Sequence, residues 1–414
     1  MHTNPNIPLL FSTRIIRLFC YGVLSVILAL YLAEAGFTET QIGLLFTLTL
    51  IGDAVISLWL TTSADRFGRK RTLLIGAVLM LSAGIGFALT KNFALLALAA
   101  IIGVISPSGN EIGPFLSVEQ ASLTQLISNE KRTHFFAWYN LVGSFATATG
   151  ALTGGWLSQS LQLSGWTTLE SYRFVLVGYA LGGFILLLLF LRLSPSIEVP
   201  TQYEVRSPAL SKVEGTQSTL GLHRSRNVVF KLSALFALDA FAGGFIVQSM
   251  FAFWFFVRFG VDAGTLGSIF FGANILAGIS ALLAVPLAKK IGLVNTMVFT
   301  HIPSNILLIL VPLMPTLPLA IGLLLIRFSI SQMDVPTRQS YVMAVVAPDE
   351  RSAASGVTAI ARSIGASVSP LLTGFFFGIP ALLSLPFFLA GGLKIVYDLL
   401  LFREFRVVKP PEEN

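Results

Sequence analysis

Apolar runs of about 20 residues follow one another along nearly the whole chain, each long enough to cross a bilayer as a helix. Hydropathy places twelve of them. Six cover 14–34, 41–63, 73–90, 93–126, 133–159 and 173–192, and six cover 229–257, 265–287, 293–314, 317–345, 352–378 and 381–402. The predicted fold is an all-α membrane protein, with twelve transmembrane helices in two six-helix bundles around a central cavity. The bundles take 1–192 and 229–402, a polar cytoplasmic linker with a short surface helix takes 193–228, and a tail takes 403–414. Runs of this length exclude a porin-type barrel, whose spans are alternating stretches of about 10 residues. Arg14 and Arg17 precede an apolar stretch ending in Ala33-Glu34-Ala35, which imitates a signal peptide. The repeat described below needs that segment as a retained helix.

Composition narrows the class further. Of 414 residues, 54% are hydrophobic and 11% charged, against roughly 25% charged in an average soluble domain. A soluble enzyme, a disordered chain and a disulfide scaffold are excluded. Lys+Arg 27 against Asp+Glu 20 gives +7, but no basic patch with interleaved aromatics calls for nucleic acid. The positive charge sits instead in alternate short loops. Arg66, Arg69, Lys70 and Arg71 lie after the second span, Lys131 and Arg132 after the fourth, and Lys289 and Lys290 after the eighth. The linker adds Arg206, Lys212, Arg224 and Arg226, and the tail Arg403, Arg406 and Lys409. Counting lysines and arginines therefore places both termini in the cytoplasm. The single cysteine, Cys20, allows neither an internal disulfide nor a cysteine–histidine metal cluster.

The two halves also resemble each other. Gly36-Phe37-Thr38 with Gly43 matches Gly260-Val261-Asp262 with Gly267, and Ala64-Asp65-Arg66-Phe67-Gly68 falls on Ala288-Lys289-Lys290-Ile291-Gly292 at the same offset. Further on, Glu119-Gln120 falls on Arg338-Gln339 and Glu130-Lys131-Arg132 on Asp349-Glu350-Arg351. Parallel repeats of six helices enclose a cavity that opens to alternate sides when one half rocks against the other.

The loop Thr61-Thr62-Ser63-Ala64-Asp65-Arg66-Phe67-Gly68-Arg69-Lys70-Arg71 resembles the signature loop of the major facilitator superfamily, with Thr61 where the first glycine usually stands. With the twelve spans and the repeat, the resemblance covers essentially the whole chain. It implies a gating motif made of Asp65, Arg66, Gly68, Arg69 and Lys70, in which Asp65 helps lock the cytoplasmic side of the two halves together in the outward-open state, partnered by Arg69 and a helix end across the interface. Gly68 permits the tight turn, and Asp65 is suited to a helix N-terminus. Gly143, Gly150, Gly154 and Gly155 in the fifth span look like the superfamily's antiporter motif, although Ala151 replaces its proline. Small residues at this spacing equally serve close helix packing.

Ionisable residues at membrane depth carry the most information, because each is costly unless paired or hydrated. Glu111, Asp239 and Asp53 are the candidates for proton coupling. Glu111 comes first, since its own helix offers no basic neighbour. Glu119 and Arg338 stand at matching repeat positions and form a candidate charge pair between the bundles, the alternative being a separate local role for each. Arg17, Tyr21, Gln248, Asp334, Arg338 and Arg362 are the candidate substrate-binding residues, with Arg338 and Arg362 suited to an anion. Arg17 either snorkels to the interface or clamps an anion. Lys394 and Asp398 are spaced i,i+4 as a structural pair. His134 and His301 carry no site signal, and Phe251, Phe253, Trp254, Phe255 and Phe256 read as lipid-facing bulk.

No nucleophile–base pair, metal site or phosphate loop is visible, so neither enzyme activity nor a cofactor is expected. The reading is a monomeric secondary transporter in the plasma membrane, working by alternating access on a small molecule with protons or another coupling ion. Proton-coupled export of a polar or anionic organic compound or drug is the first form of it. Proton-coupled uptake of an organic anion is the second, and a membrane-embedded enzyme or scramblase is the reading from another class.

Overall fold

The computed structural model describes residues 4–128, 132–198 and 222–406, and their regular structure is helical. The helices in chain order are α1 (Asn6–Glu34), α2 (Glu39–Phe67), α3 (Arg69–Leu89), α4 (Phe93–Ile102), α5 (Phe115–Leu126), α6 (Arg132–Leu163) and α7 (Thr168–Leu191). They continue as α8 (Arg226–Gly244), α9 (Gln248–Phe259), α10 (Ala263–Ile291), α11 (Leu293–Leu310), α12 (Leu317–Ile330), α13 (Asp334–Val345), α14 (Arg351–Phe377) and α15 (Leu385–Phe405). Among the described residues, 10 segments are long and apolar enough to cross a membrane. The two other expected spans are the 32-residue α6 and the pair α4 and α5. Most of the expected linker and the tail beyond Arg406 lie outside the described residues, as do Lys131, Arg206, Lys212 and Lys409.

Three expected spans are interrupted near their middle, and the sequence supplies a cause for each. Between α4 and α5 lie Pro107 and Pro114, with Gly109 and Gly113 at φ 71° and 79°, a conformation that side chains resist. Between α12 and α13 the cause is Pro336 in the first turn of α13. It has no N–H to offer the carbonyl four residues back, and its ring crowds that position, which disfavours a continuous helix through Gln332. The seventh span breaks after the Gly243-Gly244 pair that ends α8.

The chain forms two compact units. One comprises Met1–Phe37, Leu48–Lys212 and Phe251–Phe271, and the other Thr38–Thr47, Val213–Met250 and Gly272–Asn414. Each short exchanged segment is tied to its unit by glycine-lined helix contacts. A Cβ on Gly155 of α6 would lie 2.2 Å from the Ala263 carbonyl of α10, and one on Gly43 of α2 would lie 2.4 Å from the Pro370 carbonyl of α14.

Helix pairing repeats within the units. In the first, α1 packs along α6 and α3 along α7; in the second, α8 packs along α14 and α11 along α15. These are the first with fifth and third with sixth spans of each half, as a repeat requires. The repeat reaches the backbone of the loops as well, because Gly68 and Gly292 precede α3 and α11 with φ 98° and 86°. The aromatic run proves to be core rather than lipid-facing bulk. Phe251, Phe253, Trp254 and Phe255 are buried and only Phe256 of the run is exposed; Phe251 stacks on Phe255 and meets Phe270 edge to face.

Candidate functional site

Each unit buries a network of charged side chains, and most of the residues selected from the sequence belong to one of the two. In the first unit α1 supplies Thr13, Arg14, Arg17 and Tyr21, spaced so that they share one face. Arg17 is fully buried and neither snorkels nor stands free. Its Nη1 and Nη2 donate to Glu119 Oε1 and Oε2 at 2.8 and 2.7 Å, and its Nε to Glu111 Oε1 at 2.6 Å. This fork is the strongest geometry that an arginine and a carboxylate form. Thr13 donates to Glu119 at 2.9 Å and Tyr139 of α6 donates to its other oxygen. The Arg17 guanidinium also lies 4.6 Å from the centre of the Phe115 ring.

Arg14 adds a second cation. Its Nη1 is 3.1 Å from Glu111 Oε2, an ion contact whose angles fall short of a hydrogen bond, and its guanidinium lies 4.1 Å over the Tyr139 ring. Glu111, without a basic neighbour in its own span, has two from another helix. A proton arriving there must break two ion contacts. Asp53 is placed differently. Its Oδ1 accepts from the Ser57 hydroxyl at 2.9 Å and from the Gly113 N–H at 2.6 Å in the break before α5, and among the described residues it has no cationic partner. Tyr21 donates to the Ile112 carbonyl in the same break, at 3.4 Å.

In the second unit Asp239 of α8 is the hub. Lys394 Nζ donates to its Oδ1 at 2.6 Å, and Arg338 and Arg362 to its Oδ2 at 3.0 and 3.4 Å. Arg338 also donates to Asp334, one turn back on α13, at 3.1 Å. Glu119 and Arg338, the candidate charge pair, each hold several partners inside their own unit. The expected Lys394–Asp398 pair is absent, because Lys394 turns to Asp239. Asp398 instead hydrogen-bonds His301 Nδ1 at 2.9 Å and accepts from Asn305 Nδ2 at 3.2 Å. His301, which carries no signal in the sequence, is thus part of the buried network. The side chain of His134 lies outside the described residues, and Gln248 is half-buried at the start of α9.

Charge does not balance equally in the two units. The first network sets Arg14 and Arg17 against Glu111 and Glu119. The second sets Arg327, Arg338, Arg362 and Lys394 against Asp239, Asp334 and Asp398, an excess of one positive charge even with His301 neutral. Arg362 is the most loosely held, with a single contact of 3.4 Å and a side chain 36% exposed.

The signature loop is built as a brace at the start of α3. Arg69 Nε donates to Asp65 Oδ1 at 2.9 Å, and its Nη1 donates to Gln125 Oε1 and the Ile197 carbonyl. The carboxylate on this helix N-terminus is Glu198, which hydropathy assigns to the linker. Glu198 accepts from the backbone N–H groups of Arg69 and Lys70 at 2.7 and 3.1 Å, where the helix dipole favours an anion. Lys70 donates to the carbonyls of Leu191 and Leu193. Asp65 and Arg66 are otherwise exposed.

Glu350, between α13 and α14, is a comparable brace in the second unit. Burial works against its carboxylate, but backbone N–H groups of Ser225, Arg224 and His223 outweigh that and lower its pKa from 4.5 to about 2. A carboxyl whose pKa is depressed by folding contributes stability in full above its unfolded value, and loses it as pH falls through the folded one. Thermal midpoints should therefore drop between pH 4.5 and about 2, and Glu350→Gln should flatten that part of the profile. A variant with the full acid slope would remove the brace. His223, Asp349 and Glu350 bring three potential metal-ligand atoms within 4.8 Å. Each is already engaged, with Asp349 on Arg224 and His223 between the two carboxylates.

The family model of the Major Facilitator Superfamily matches residues 10–370. The uncharacterized membrane protein YJR124C of Saccharomyces cerevisiae is 31% identical over 417 residues, covering 96% of this chain and 93% of that one. The quinolone resistance protein NorA of Staphylococcus aureus matches over 85 residues, at 33% identity, covering 20% of this chain and 22% of its own. Among solved structures, a D-xylose–proton symporter superposes with a TM-score of 0.76 at 14% identity, covering 96% of this chain and 97% of its own, a likeness of fold alone.

Proposed function

The chain belongs to the major facilitator superfamily and is a membrane transporter, and we propose that it couples the movement of a small organic anion to protons by alternating access. The observation carrying the substrate class is the positive excess in the second unit, together with Arg362, whose fork is only weakly committed to Asp239. A guanidinium so placed recognises a carboxylate or phosphate group in two-point fashion. The same count disfavours a cationic drug.

The glycines of the fifth span are used in packing, so their spacing does not by itself argue for export. A Cβ on Gly150 would lie 2.0 Å from the Phe19 carbonyl of α1, so these helices pair only because the position is glycine. The 85-residue likeness to a quinolone resistance protein is the remaining support for proton-driven efflux. Both termini are assigned to the cytoplasm from the lysine and arginine count.

For proton coupling, Asp53 takes precedence over Glu111 and Asp239. Both of those hold two or more cations, whereas Asp53 holds neutral donors only. A proton added to Asp53 displaces no ion pair. The carboxyl also accepts from the N–H of Gly113 in the break of the fourth span, so its protonation is felt by a segment without helical bonds of its own. Asp53→Asn keeps an acceptor oxygen for both donors and should preserve the fold. In reconstituted vesicles it should abolish flux driven by a pH gradient while preserving anion exchange. Driven flux at the wild-type rate would exclude Asp53 from coupling, and the side of the gradient that accelerates flux separates uptake from export.

A further inference from the structure

Arg327 sits in the last turn of α12, 8% exposed, yet among the described residues it forms no ion pair and its Nε has no hydrogen-bond partner. Four residues on, and so on nearly the same helix face, the Ser331 hydroxyl is 5% exposed and also lacks a partner. Every other arginine of the two buried networks is engaged by at least one carboxylate. Asp334, the acid next along the chain, acts on Arg327 electrostatically without touching it, its hydrogen bond being to Arg338. The Arg327 guanidinium rests 5.0 Å from the centre of the Phe328 ring, a contact that fixes its direction but supplies no counter-charge.

A buried guanidinium with no anion in contact is costly. The carbonyl end of α12 offsets part of that cost by its dipole, which would be enough for an arginine with a purely structural role. It does not account for the unpartnered hydroxyl on the same face. We propose that Arg327 and Ser331, at the break between α12 and α13, form a binding site for the oxyanion group of a ligand, a carboxylate or a phosphate. This rests on the anion-carrier reading and deepens it, by placing a second anchor, separate from Arg362, in the tenth span.

The position selects the source of the anion. Arg327 lies ten residues beyond the start of α12, about 15 Å along a helix at 1.5 Å per residue, or roughly half of a 30 Å hydrocarbon core. Lipid headgroup phosphates lie at the edges of that core. The ligand is therefore a small solute that enters the protein.

The test uses the full chain purified in detergent, with succinate, benzoate and inorganic phosphate as probes at matched ionic strength and benzamide as the uncharged control. At least one anion should raise the thermal midpoint as specific binding requires, and benzamide should not. Arg327→Met should abolish that rise and, by removing an uncompensated charge, increase the midpoint of the ligand-free protein. Ser331→Ala, a milder change, should weaken the apparent affinity several-fold without lowering the ligand-free midpoint. A rise that survives Arg327→Met, a ligand-free midpoint that falls in that variant, or no response to any of the three anions would overturn the site. Anion flux with an unaltered response in Arg327→Met would leave the carrier reading standing without this site. An Arg327-dependent response in a protein that moves no anion would leave the site and remove the carrier reading.

Discussion

Asp239→Asn is expected to abolish transport and to lower the thermal midpoint of the purified protein sharply. Asp239 is 4% exposed and accepts from Lys394, Arg338 and Arg362 at once. Asparagine keeps an acceptor oxygen but removes the charge, leaving three cations around a neutral group in a poorly solvated interior. Breaking a buried ion pair from one side costs about 3–5 kcal/mol, because the remaining charge is uncompensated. Removing one orphaned cation as well should restore part of the loss, so Asp239→Asn with Lys394→Met should be more stable than Asp239→Asn alone. Such non-additivity is expected of groups in one network. Thermal unfolding of the two variants beside the wild type checks this. A single variant as stable as the wild type would show that Asp239 is not the hub.

The spans were legible because membrane depth demands long apolar runs, and the repeat because glycine and charge recur at fixed offsets. The breaks were partly legible. Pro107, Pro114, Gly109 and Gly113 announce the one before α5, whereas Pro336 interrupts a helix several residues before its own position. Pairing was the least legible part. Glu111 has no basic neighbour in its own span, yet α1 brings Arg14 and Arg17 to it, and only tertiary packing decides that. Lys394 and Asp398 show the limit of local spacing, since an i,i+4 separation permits a bond but does not outcompete a carboxylate on α8 or a histidine on α11. Glu198 left no signal, because a carboxylate shortly after a proline looks the same whether it is solvated or seated on a helix N-terminus.

The largest expected effect on transport concerns the charge of the cargo. Arg362 combines a 36% exposed side chain with one weak contact, so it can exchange Asp239 for a ligand oxyanion at little cost. Arg362→Met should lower anion flux roughly tenfold or more, the equivalent of about 1.4 kcal/mol, since a hydrogen bond to a charged group contributes that much or more. It should leave the fold intact, because Asp239 retains Lys394 and Arg338.

The most direct measurement is flux into protein-containing vesicles of a panel of small radiolabelled organic acids, each paired with its uncharged amide, under a pH gradient. The account predicts that at least one acid moves faster than in protein-free vesicles, that its amide does not, and that Arg362→Met removes the difference. Movement of amides or cations but of no acid would contradict it.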